Sequence, residues 1–205
     1  MVGSNESSGG GPRRLLVVCT ANVCRSPVAQ RLLARALEGV GTGDGRGWVV
    51  TSAGTGRYSA GMDPGTVSAA AAVGVDLADH TSRTIDRSIL GTDGADLVVT
   101  MTREHLRDVV ALDPGAWPRT FTLKELARRA ISIDAPTSDE SFEDWRRRLG
   151  QGRQASAMLR PDPADDVSDP YGRPARFHTE MVTEVSQAID QLVAAGPWTP
   201  RPPMP

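Results

Sequence analysis

The 205-residue chain has two cysteines, one lysine, and no apolar stretch long enough to cross a membrane as a helix. Two cysteines cannot build a disulfide framework, nor supply a four-ligand zinc site by themselves. They fit a reducing compartment, and a cytoplasmic location is expected. The N-terminus, MVGSNESSGGGPRR, lacks the apolar segment of a signal peptide. Charge of one sign is also missing, because 23 basic residues against 25 acidic ones leave a formal charge of −2. Neither nucleic acid nor a membrane is expected as partner. Lys124 is the only lysine, and with the Ala and Gly richness this reads as coding bias, so arginine clusters carry little functional weight. The run Arg146-Arg147-Arg148 is accordingly read as a solvated helix face. The 39% hydrophobic and 23% charged residues describe a globular domain able to bury a core.

Residues 1–12 read as a disordered tail and 196–205 as a Pro-rich tail, with one domain over 13–195. Arg14–Val18 is a short apolar strand of the kind buried in parallel sheets. From Pro27 to Glu38, Val28, Leu32, Leu33, Ala36 and Leu37 share a helical face, with Ser26 suited to the N-cap and Pro27 to the first turn. After a glycine-rich loop at 39–47, Trp48–Thr51 is a second strand, running into Ser52-Ala53-Gly54-Thr55-Gly56. A small-residue helix at 64–74 is expected to pack closely on the sheet. Ala95–Thr100 and Arg119–Leu123 are the third and fourth strands, each followed by a helix, through about Val110 and over Lys124–Ala130. Residues 132–164 break the alternation and read as an insertion with a helix around Phe142–Leu159. The final helix, Ala175–Ala195, carries Phe177, Met181, Val185, Ile189 and Leu192 at helical spacing. The expected fold is α/β: a four-stranded parallel sheet with helices on both faces, in a flavodoxin-like three-layer arrangement with a helical insertion.

In such sheets ligands sit at the carboxyl ends of the strands. Both cysteines lie there, in VVCTANVCRSPVAQ, where the first strand gives way to a helix. Between Cys19 and Arg25 stand Thr20, Ala21, Asn22, Val23 and Cys24, enough chain to wrap main-chain N–H groups around a tetrahedral anion. The helix N-terminus and Arg25 favour a thiolate at Cys19. Arg25 can hold two phosphate oxygens at once, and a thiolate beneath a cradled phosphate is in line with phosphorus. Ser26 can donate a hydrogen bond to that sulfur. A P-loop NTPase would end this loop in Gly-Lys-Ser/Thr, and a Cys-x-x-Cys redox pair is absent, since four residues separate the thiols. Two core cysteines of no chemical role are the plain alternative.

CTANVCRSP resembles the active-site loop of the low-molecular-weight protein tyrosine phosphatases, and SAGT at 52–55 and DLVVTM at 96–101 resemble further segments of that family. The resemblance implies a general acid in an Asp-Pro-Tyr motif before the last helix. Of four Asp-Pro pairs, only Asp169-Pro170 continues to a tyrosine, Tyr171, in VSDPYGRP. It implies Cys19 as nucleophile, Arg25 as phosphate clamp, and Asp169 as general acid and then base. Tyr171 and Tyr58 would be walls of a cleft deep enough to favour phosphotyrosine. Asn22, Ser26, Ser52 and His80 resemble a network that shapes the loop. Cys24 is either a reversible disulfide partner of Cys19 or a filler beneath the loop. His105 and His178 are assigned no role. No cofactor or metal is expected, and the partner implied is a phosphotyrosine protein, with a bacterial-type tyrosine kinase among the candidates.

Three other activities compete. Protein arginine phosphatases of the same fold tend to have threonine where Val23 stands. Thioredoxin-coupled arsenate reductases need further cysteines. A non-catalytic phosphoprotein-binding module would have lost the nucleophile, the arginine or the acid, and all three are present.

Overall fold

A computed structural model describes residues 11–41, 46–56, 61–91, 94–137 and 140–200. The chain runs β1 (Arg13–Cys19), α1 (Arg25–Ala36), β2 (Val40–Gly41), β3 (Trp48–Gly54), α2 (Pro64–Ala71), α3 (Arg87–Leu90), β4 (Leu97–Thr100), α4 (Arg103–Leu112), a 3₁₀ turn Pro114–Arg119, β5 (Thr120–Thr122), α5 (Leu123–Ser132), α6 (Phe142–Gly150), a 3₁₀ turn Ala155–Leu159, α7 (Ala175–Ala195) and β6 (Thr199–Pro200). The main sheet is parallel in the order β3-β1-β4-β5. Among the described residues, no helix is long and apolar enough to cross a membrane.

β1 is central and buried on both sides because every residue from Leu15 to Cys19 is apolar. Strand alternation divides them: Leu15, Val17 and Cys19 face the larger core with α1, α5, α6 and α7. Leu16 and Val18 face a smaller one with Leu90, Val109 and Ala116. The next strand of the sheet, β3, lies on one side of β1, and the chain then crosses to place β4 on the other. The carboxyl end of β1 is therefore the switch point of the sheet, where a crevice opens between diverging connections.

Several elements differ from their expected limits. α1 begins at Arg25, so Ser26 is not its N-cap; Cys24 holds that place without a side-chain cap, and the Ser26 hydroxyl is engaged elsewhere. α2 packs against α7 rather than on the sheet, with Gly65 so close to His178 that a Cβ would lie 2.7 Å from its Nε2. The expected helix 142–159 stops at Gly150, where the chain turns through Gly152 at φ +71° and resumes as a 3₁₀ turn. A two-stranded antiparallel pair, β2 with β6, was not evident in the loop and tail compositions.

The segment 132–164 contributes to the core. Phe142, Trp145 and Leu149 lie on one face of α6 and are buried. Trp145 packs against Phe142 and Trp198, with ring centroids 5.9 and 5.7 Å apart. Arg13, buried at the start of β1, donates from Nη2 to Glu143 at 3.0 Å and lies over the Phe142 ring. The arginine run divides by the same periodicity. Arg147 is exposed and pairs with Asp144, Arg148 pairs with Glu140 at 2.6 Å, and Arg146, half-buried, donates to the Pro118 carbonyl at 3.1 Å. Only Arg147 is a solvated residue of the kind expected. Trp145→Ala should lower unfolding free energy by about 3–5 kcal/mol, as large aromatic truncations in packed cores do, measured by urea denaturation.

Candidate active site

The turn between β1 and α1 folds into a closed loop because one residue takes the left-handed conformation. Asn22, at φ 57°, is the single non-glycine residue with positive φ among those described. Asparagine tolerates this better than most side chains. It is fully buried, and every polar atom of its side chain is used. Its Nδ2 donates to Ser26 Oγ at 3.0 Å and Ser52 Oγ at 2.8 Å, and its Oδ1 accepts from Arg83 N at 3.1 Å. Its main-chain carbonyl accepts from His80 Nε2 at 2.9 Å and Ser82 Oγ at 3.0 Å. Ser52 in turn donates to Gln30 at 2.6 Å. Burial, reinforced by Arg31 and Arg83, holds His80 below the ordinary histidine value, which keeps its imidazole neutral as donor to a carbonyl. All four supporting residues read from the sequence, Asn22, Ser26, Ser52 and His80, meet at this one hub.

The end of β3 completes the support. Thr55 N and Gly56 N donate to the carbonyls of Cys19 and Thr20 at 2.9 and 2.8 Å. A Cβ on Gly54 would lie 2.5 Å from Thr20 O, so no larger residue permits this approach. That contact is the physical content of the SAGTG segment.

Cys19 Sγ lies 3.0 Å from Ser26 Oγ. Because Asn22 donates to the same oxygen, the Ser26 hydrogen is free to point at sulfur. Arg25 is 5% exposed and reaches across the loop. Its Nη1 donates to Val167 O at 3.3 Å, and its Nη2 to Thr20 Oγ1 at 3.2 Å and Asp169 Oδ2 at 2.7 Å. Its Nε is buried with no hydrogen-bond partner. A buried cation with an unfilled N–H beside a thiol makes a site for an anion.

Asp169 stands on the facing loop, its side chain half exposed, with Oδ1 accepting from Tyr171 N at 3.2 Å. The loop is fastened well before it reaches the site. Val167 N donates to Met101 O at 2.8 Å, and the fully buried Asp165 accepts from Arg103 at 2.7 Å and Arg128 at 2.6 Å. Cys19, Thr20, Ala21, Val23, Cys24, Arg25, Asp169 and Tyr171 line one cavity of about 190 Å³. Tyr171 is 60% exposed at its rim. Tyr58, the other expected wall, lies outside the described residues.

Three contacts were not legible in the sequence. His105 places Nε2 2.8 Å from Thr20 Oγ1 and Nδ1 2.9 Å from Thr102 Oγ1. Burial, with the charge of Arg25 second, lowers its pKa to about 3. His178 approaches Thr66 Oγ1 at 2.9 Å and Asp63 at 3.3 Å. Thr66 also bonds Cys24, whose thiol burial raises to about 12 against the opposing effect of that bond. The signal for His105 was topological: it opens the helix after β4, and β4 lies beside β1.

A thiol, a buried guanidinium and a facing carboxylate at the switch point of a doubly wound sheet define a cysteine-dependent phosphatase. Comparison with known proteins narrows this class. The chain belongs to the low molecular weight phosphotyrosine protein phosphatase family, whose model matches residues 14–157. A probable low molecular weight protein-tyrosine-phosphatase, EpsP of Ralstonia solanacearum, is 35% identical over 135 residues, covering 64% of this chain and 85% of its own. The Etp phosphatase of Escherichia coli K12 is 31% identical over 150 residues, covering 67% and 95%. Among solved structures, the low molecular weight protein tyrosine phosphatase from T. tengcongensis superposes with a TM-score of 0.61 at 27% identity, over 89% of this chain and 98% of that one. The YwlE arginine phosphatase from Geobacillus stearothermophilus gives 0.62 at 26% identity, over 89% and 92%.

The two thiols should differ in reactivity. Thiolate is the reacting form, and a pKa of about 12 leaves almost none at Cys24 below strongly alkaline pH. Iodoacetamide near neutral pH should therefore label Cys19 and spare Cys24, although both line the cavity, with Cys24 labelling rising only as pH climbs toward that value. Peptide mapping by mass spectrometry reads both sites.

Proposed function

We propose that the protein hydrolyses phosphotyrosine on proteins through a phosphocysteine intermediate, with Cys19 as nucleophile, Arg25 as phosphate clamp and Asp169 as general acid and base. The observation that carries this reading is Arg25, buried, its Nε unfilled, and tied at Nη2 to the carboxylate of Asp169. In the first step the Cys19 thiolate attacks phosphorus, the S–P bond forms and the P–O bond to the phenol breaks. Asp169 gives its proton to the departing phenolic oxygen. In the second, water attacks phosphorus, Asp169 takes its proton, and the S–P bond breaks to release inorganic phosphate and the thiolate. Ser26 and the loop N–H groups stabilise the sulfur and the phosphoryl oxygens. Phosphate, on binding, would fill the Arg25 fork and free Asp169 to turn toward the leaving group.

Val23 and the Tyr171 rim favour an aryl ester over a guanidino phosphate. The likeness to the YwlE arginine phosphatase supports the second reading, phosphoarginine, at this same site. The domain proposed to carry the chemistry spans residues 13–195, with 132–164 as an insertion. A bacterial-type tyrosine kinase in the cytoplasm is the proposed partner, a reducing compartment being where a reactive thiol persists.

Cys19→Ser should abolish turnover of p-nitrophenyl phosphate, and a chelator should leave the wild-type rate unchanged. Asp169→Asn should lower kcat about 10²–10⁴-fold, the usual share of general acid–base help, and by less for substrates whose leaving group needs no proton. Initial rates on phosphotyrosine and phosphoarginine peptides, compared on one preparation, decide the substrate. A preference for phosphoarginine overturns the first reading in favour of the second.

A further inference from the structure

We propose that His105 is a positioning residue for phosphate binding, acting through the Thr20 hydroxyl to hold the Arg25 guanidinium without cancelling its charge. This rests on the role given above to Arg25.

His105 does not line the cavity, so it touches no substrate. It is 3% exposed, and both ring nitrogens are occupied, Nδ1 by Thr102 Oγ1 at 2.9 Å and Nε2 by Thr20 Oγ1 at 2.8 Å. Thr102 is itself fixed, since its Oγ1 accepts from His105 N as the N-cap of α4. The chain Thr102–His105–Thr20–Arg25 thus runs from a helix end on the neighbouring strand connection to the phosphate clamp. Whichever ring nitrogen carries the proton, the Thr20 oxygen is pinned with a lone pair toward Arg25 Nη2, 3.2 Å away. Without the imidazole the Thr20 side chain could rotate about χ1 and leave that N–H unfilled.

Charge decides why an uncharged group suits this place. The clamp must keep a net positive charge for a phosphoryl group, and Asp169 is the only carboxylate paired with Arg25 among the described residues. Asp169 must leave to protonate the leaving group. A second carboxylate behind Arg25 would stay and oppose the incoming dianion, whereas a neutral imidazole between two hydroxyls orients the guanidinium by dipoles alone. Burial next to Arg25 keeps His105 in that neutral form throughout the working pH range.

The experiment compares wild type, His105→Ala, His105→Gln, Thr20→Val and the His105→Ala/Thr20→Val double variant. The readouts are the vanadate inhibition constant, KM and kcat on p-nitrophenyl phosphate, and the thermal midpoint. Glutamine reaches as far as Nε2 and keeps a neutral polar end. Losing a hydrogen bond that orients a charged group should raise the vanadate constant about 10- to 100-fold in His105→Ala. Glutamine should recover most of this, Thr20→Val should match it, and the double variant should be no worse than either. The pH–rate profile should keep its shape in every variant, since a neutral positioning group adds no titration of its own. If His105→Ala lowers the thermal midpoint while vanadate binds as before, or if the two single effects multiply, the proposal is overturned. Should His105→Ala fail to fold, Thr20→Val carries the test alone, and unchanged vanadate binding there overturns it equally. An inactive wild type, or an active Cys19→Ser, would instead sink the reading of the site itself.

Discussion

A guanidinium held out of water at the mouth of a parallel sheet is the constraint around which the molecule is arranged. Burying a charge costs several kcal/mol unless partners surround it, and Arg25 draws them from three separate regions. Thr20 comes from its own loop, Val167 and Asp169 from the segment before α7, and His105 reaches it from α4 through Thr20. Two of these partners, Thr20 and Asp169, also line the cavity. The Arg25 Nε–H, buried and without a partner, is left available to an oxyanion.

Loop shape and loop charge are maintained by different means. Shape comes from Asn22, whose left-handed backbone and saturated amide fix the closure, and from Gly54, whose missing side chain lets β3 approach. Charge comes from Arg25 and the first turn of α1, which has no side-chain cap and so leaves its N–H groups to the loop. The supporting histidines are both held in the neutral state by burial, His80 on one side and His105 on the other. The scaffold adds hydrogen bonds around the phosphate cup without adding counter-charge. Among the described residues, Asp169, half exposed, is the one carboxylate paired with the clamp.

The facing loop sets a half-exposed acid on a firm base. Two arginines converge on the buried Asp165, and Lys124 bonds the Asp166 carbonyl at 3.2 Å and Glu184 at 2.6 Å. Four residues on, Asp169 is held by one ion pair and one Asx turn. In a chain with one lysine and many arginines, these pairs are where the abundance of guanidinium has structural consequences. The Arg103 and Arg128 clamp on Asp165 was hidden in the sequence by that same abundance, which made each arginine uninformative alone.

The local parts were written in neighbouring residues: an apolar strand entering a Cys–Arg loop, the amphipathic helix after it, the Asp-Pro-Tyr before α7, and the alternation that makes a parallel sheet. These are readable because strand burial, helix periodicity and a loop between two elements are all properties of contiguous residues. α7 matched its expected limits for that reason, its apolar positions recurring over six turns. Which polar side chains meet was settled by the packing of distant segments. Ser26 looked suited both to cap the helix and to serve the sulfur, and does only the second; Phe142, Trp145 and Leu149, in a segment that read as an insertion, lie in the core. His105, 86 positions after Cys19, came next to the loop because β4 pairs with β1 across the switch point. Partners of that kind are set by strand order, which depends on how all the apolar faces pack at once and leaves no trace in the spacing of residues along the chain.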